Sequence, residues 1–67
     1  MAIDDNVRKA VSEYLRLAEQ CFALVQATLD PEVKTAFTAA GRDYVAKAKE
    51  LDPGVPIPEE WARFLKG

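Results

Sequence analysis

The chain has 67 residues, nine basic and eleven acidic, with a net charge of −2, one cysteine and no histidine. A chain this short holds one core and buries only about 60% of the surface its unfolded form exposes, so residues 1–67 are read as a single domain needing a staple or a partner chain. Composition removes the staples and much chemistry besides. Cys21 has no second thiol to bridge to, the usual zinc and haem ligand sets lack histidine, and histidine-dependent acid–base or nucleophile chemistry is excluded. Mixed charge leaves no electrostatic footprint for nucleic acid.

The opening Met1-Ala2-Ile3-Asp4-Asp5 is acidic where a secretion signal would be basic and then apolar. No stretch approaches the ~18 apolar residues of a membrane span, so cytoplasmic residence away from membranes is the expectation. From about Asp4 to Thr28 there is no proline or glycine, and Val7, Val11, Tyr14, Ala18, Cys21, Val25 and Thr28 recur at alternating spacings of four and three. That spacing predicts a helix over 4–28. Ala10, Leu17 and Leu24 widen its apolar face on one side, and Leu15, Phe22 and Leu29 on the other, to ~160°. One neighbouring helix would not cover so broad a face.

Asp30-Pro31-Glu32 supplies a capping carboxylate, a proline at the first helical position and an acid in the first turn, which opens a second helix over 31–51. The connection is so short that the two helices must be antiparallel neighbours. Val33, Phe37, Ala40, Tyr44, Ala48 and Leu51 form the second stripe, with Ala36 beside it. Gly41 interrupts this helix at about 1 kcal/mol relative to alanine, which calls for close helix approach or a kink. Asp52-Pro53-Gly54 stops the helix. Residues 52–58 read as a proline-rich linker, extended at Val55-Pro56-Ile57-Pro58. A short third helix is expected over 58–66, with Trp61, Phe64 and Leu65 on one face.

Gly41, Gly54 and Gly67 are isolated, so neither a phosphate-cradling loop nor a dinucleotide fingerprint can be drawn. A ferritin-like di-iron pattern would need Glu-x-x-His pairs. No cofactor, no metal and no enzymatic activity are therefore expected. Cys21 reads as a small buried apolar residue, against the sharper alternative of a redox thiol, which would need exposure and a basic environment.

Tyr14-Leu15-Arg16-Leu17-Ala18-Glu19-Gln20-Cys21, then Asp30-Pro31-Glu32-Val33 and Tyr44, resembles a widespread group of short uncharacterised bacterial helical-hairpin proteins over residues 14–48. That resemblance implies an α-helical hairpin and brings no assigned activity. Ala48-Lys49-Glu50-Leu51-Asp52-Pro53-Gly54 followed by Trp61 is similar to the junction between tetratricopeptide repeats, which would imply peptide binding. The first helix is too long for that pattern and no 34-residue repeat is present.

The expected fold is thus all-α: a two-helix hairpin with a short C-terminal helix, assembling into a helical bundle. The expected role is a non-enzymatic protein–protein interaction module, partnered by itself as a homodimer or by a larger protein, through Leu15, Phe22, Leu29, Trp61, Phe64 and Leu65. Trp61 and Phe64 have two readings, folding back on the hairpin or inserting into a partner as hot-spot anchors. A rival reading is a small-molecule or enzymatic groove lined by Tyr14, Arg16, Tyr44 and Trp61.

Overall fold

The computed structural model describes residues 4–66, so Met1, Ala2, Ile3 and Gly67 lie outside the described residues. Two long helices, α1 (Asp5–Ala27) and α2 (Pro31–Leu51), pack as an antiparallel hairpin. A single 3-10 turn (Glu59–Trp61) leads into the one-turn helix α3 (Ala62–Leu65), and no strand occurs among the described residues.

Local chemistry accounts for each boundary. The Asp4 carboxylate accepts the Asn6 N–H at 2.9 Å and caps α1, satisfying one of the donors a helix start leaves open. Thr28 turns extended and ends the helix. Two residues later the Asp30 carboxylate accepts the N–H groups of Glu32 at 2.9 Å and Val33 at 3.4 Å, with Pro31 at the first helical position. At the far end Asp52 closes α2, its N–H bonded to the Ala48 carbonyl at 2.9 Å. The chain then reverses in a turn where Val55 N–H meets the Asp52 carbonyl at 3.0 Å. Pro53 at the second position of that turn presets its φ.

The molecule measures 44 × 19 × 15 Å, about two helices wide and little more than one helix thick. Its core is a strip. Ala18, Phe22 and Val25 of α1, Val45 of α2, and Trp61 and Phe64 of the tail form one buried cluster, with Leu15, Phe37, Tyr44, Ile57 and Leu65 packed against it. The tail therefore folds back and covers the flank of α1 that one neighbouring helix leaves open.

That docking rotates the buried face of α2 away from the stripe drawn from periodicity. Gly41, Val45 and Ala48 are its buried residues. Ala36 is exposed and Leu51 is 41% exposed. A two-helix reading centres the stripe on the partner helix alone, whereas here the face must serve both α1 and the tail, which shifts burial toward Gly41 and Val45. Leu29 departs from expectation for a simpler reason. The 3.6-residue period that aligned it with Leu15 and Phe22 stops at Ala27, and in the connection Leu29 is 95% exposed.

Gly41 is where the three parts meet. A Cβ on this residue would lie 2.7 Å from Cζ and 2.9 Å from Cδ1 of Phe22, and closer still to Cε1. Phe22 is 2% exposed, so its ring has no room to withdraw. Alanine at position 41 gains about 1 kcal/mol in helix propensity but meets an overpacking cost of about 1–3 kcal/mol. Gly41→Ala is accordingly expected to lower stability by roughly 1 kcal/mol in urea unfolding, opposite in sign to the propensity scale. Gly54→Ala is the control, because its Cβ meets nothing nearer than Asp52 Oδ1 at 3.8 Å and its φ is negative. It should change stability by less than about 0.5 kcal/mol or raise it slightly.

Candidate functional site

The residues singled out for an interface separate into two places. Phe22, Trp61 and Phe64 are buried, Leu15 and Leu65 are half-buried beside them, and Leu29 stands apart at the turn. Five of the six thus converge, but within the chain's own core. Trp61, 5% exposed, is folded against its own hairpin and unavailable as an anchor for a partner in this conformation.

The convergence is aromatic. Phe22 and Phe64 stack at 4.5 Å between centroids with 5° between their planes. Trp61 meets Phe22 edge-on at 5.2 Å and 65°. Such pairs contribute about 0.5–1.5 kcal/mol each beyond the area they bury. Arg42 of α2 completes the joint, its Nε donating to the Phe64 carbonyl and its Nη2 to the Lys66 carbonyl, both at 2.5 Å. These carbonyls belong to the last turn of α3 and to Lys66, the residue that closes it, where a helix leaves acceptors without partners. The sequence carried no signal for Arg42, a single cation on a helix flank. Gly41 beside it was the only local hint of close approach.

Of the residues proposed to line a groove, only Tyr14 and Tyr44 come together. Tyr14 and Tyr44 pair across the hairpin at 6.2 Å. Trp61 packs on Phe22, which lies about 12 Å further along α1 than Tyr14 at 1.5 Å per residue. Arg16 points to solvent and bonds both carboxylate oxygens of Glu13 at 2.6 Å, an exposed pair of small energetic weight. The surface depressions are shallow, and of these four residues only Arg16 borders one. One runs along α1 between Arg8 and Arg16, and another lies beside the seam at Val25, Lys34, Thr38 and Arg42. Among the described residues no polar side chain is buried, and no group of three metal-capable side chains is assembled.

Cys21 is 8% exposed, and desolvation raises its thiol above the usual value. Burial favours the neutral thiol. This contribution to stability is fully present below the unfolded thiol's pKa, roughly 8.5, and is lost as pH rises from there toward the folded value. Unfolding by denaturant at stepped alkaline pH should show stability falling above about pH 8.5, and Cys21→Ala should flatten that fall. Thiol reagents at neutral pH should react more slowly with the folded chain than with the unfolded one.

Apolar exposure is concentrated at the hairpin's ends. Leu24, on the last turn of α1, is 47% exposed, and Leu29 follows in the connection at 95%. Leu51 is 41% exposed at the opposite end. Asp30, Glu32 and Lys34 surround the turn and are exposed. Compared with protein-family models, with curated proteins and with solved structures, the chain matches none of them.

Proposed function

We propose that the chain is a non-enzymatic protein–protein interaction module, an accessory subunit that presents the turn end of its hairpin to a larger protein. The observation that carries this reading is Leu29, 95% exposed and preceded by Leu24 at 47%. Full burial of a leucine is worth about 1.5–3 kcal/mol, so covering the pair gains roughly 2–4 kcal/mol. Micromolar affinity needs about 8 kcal/mol. The leucines therefore act as an anchor within a wider contact rather than as a dimer interface in themselves. Asp30, Glu32 and Lys34 form the polar rim such an anchor requires. This reading places the module in the cytoplasm, where the Cys21 thiol stays reduced. No described helix is long and apolar enough to cross a membrane.

Leu29→Glu tests the reading, because a side chain that is almost wholly exposed can change with less than about 0.5 kcal/mol effect on folding. Pull-downs from the native host with wild type and variant in parallel, read by mass spectrometry, should show a specific partner retained by the first and lost by the second. Equal retention by both, or retention by neither, contradicts the proposal.

A further inference from the structure

The tail is joined to the hairpin as a ligand is joined to a groove. Its side of the joint is Trp61, Phe64, Leu65 and the carbonyls of Phe64 and Lys66, with Ile57 of the linker packed on the same core and moving with the tail, and the hairpin's side is Phe22, Gly41 and Arg42. None of these contacts requires that both sides belong to one chain.

The covalent connection between the two sides is slight. Within residues 52–58 the only described backbone–backbone hydrogen bond with both ends inside the segment is Val55 N–H to the Asp52 carbonyl. The Asp52 carboxylate adds one bond by accepting the Gly54 N–H at 3.2 Å. Pro53, Pro56 and Pro58 have no N–H to give, and they favour an extended tether over a collapsed one. Opening the Asp52–Val55 turn thus breaks two hydrogen bonds and leaves both docking surfaces unaltered.

We infer that the tail is exchangeable between two copies of this chain: each swings out at the Asp52–Val55 hinge and docks on the Phe22–Gly41–Arg42 face of the other, closing a reciprocal dimer. The groove already holds a tail of this sequence. A second copy brings the same Trp61 and Phe64 rings and the same two carbonyls for Arg42, so the exchanged form needs no new contact. Arg42 reads main-chain carbonyls, which an incoming copy presents identically. A short tether holds the chain's own tail at an effective concentration on the order of millimolar. The closed monomer therefore dominates in dilute solution, and exchange competes as protein concentration approaches that range. This inference is independent of the turn-end proposal, and Leu29→Glu leaves the exchange unchanged.

Two differently isotope-labelled batches of the full chain, unfolded together and refolded at ~1 mM and at ~10 μM, give the test. Light scattering should find a species of twice the 7.4 kDa chain mass in the concentrated sample. Isotope-filtered NOE spectra of that species should connect the Phe22 ring of one copy to Trp61 and Phe64 of the other. Removing Pro53 and Gly54 abolishes the reversal and should lower the concentration needed for dimerisation at least ~10-fold. Should that shortened chain fail to refold, the mixed unaltered chain decides alone. A monomer at both concentrations overturns the inference, as does a dimer in which every Phe22–Trp61 NOE stays within one copy.

Discussion

Phe22→Ala is expected to cost about 3–5 kcal/mol, the range for truncating a fully buried phenylalanine. At ~0.05–0.15 kcal/mol per residue, a chain of this length has only roughly 3–10 kcal/mol of stability in total, so this one substitution should leave much of the population unfolded. The size of the effect follows from what the ring touches. It lies against the Gly41 backbone, stacks on Phe64 and meets Trp61 in a steeply tilted pair, so its loss loosens α1, α2 and the tail together. The thin slab can collapse around the cavity only by moving a whole element. Urea unfolding followed by circular dichroism reads the change. A loss below about 1.5 kcal/mol would mean that the ring is not packed among all three parts.

Trp61→Ala is expected to cost about 3 kcal/mol or more. For a domain of this size that corresponds to a fall in Tm of at least ~12 °C. Its character should differ from that of Phe22→Ala. Trp61 belongs to the tail, so its truncation releases a short segment while α1 and α2 keep their capped ends and their mutual contact. Far-ultraviolet dichroism of the folded fraction should change little, whereas protease sensitivity should appear around Val55–Lys66. Trp61→Phe keeps an aromatic edge for Phe22 and should lose less than half as much. In a double-mutant cycle Phe22→Ala and Trp61→Ala should couple by at least ~1 kcal/mol, because each truncation removes the other's partner.

The hairpin was legible because its signals are local. Asp4, Asp30, Pro31, Asp52 and Pro53 each act within a few residues of their own position, and both helix starts and the end of α2 lie at or next to them. The tail's apolar face was legible for the same reason, as Trp61, Phe64 and Leu65 share one side of any helical turn. What periodicity could not supply was direction. Which edge of α2 is buried depends on where the tail lies, so periodicity alone favours Ala36 and Leu51 over Val45, which is the residue actually buried. Leu29 continues the period of Leu15 and Phe22 because a helical period carries no marker of its own end, and the Asp30 cap three residues past Ala27 marks only the next beginning. Arg42 could not have been found, since its role is to meet carbonyls 22 and 24 residues away in sequence. Gly41 was the one residue whose local cost announced a distant neighbour, and the neighbour is the Phe22 ring.

The tail completes the core by closing over Phe22 against Gly41, and proton NMR of the dilute full chain reads that closure. NOEs are expected from the Phe22 ring to the Gly41 Hα protons, the Trp61 indole and the Phe64 ring, with the Gly41 Hα resonances displaced by the ring current of Phe22. Gly41 Hα shifts typical of an ordinary helix, with no NOE between Phe22 and either tail aromatic, would contradict it.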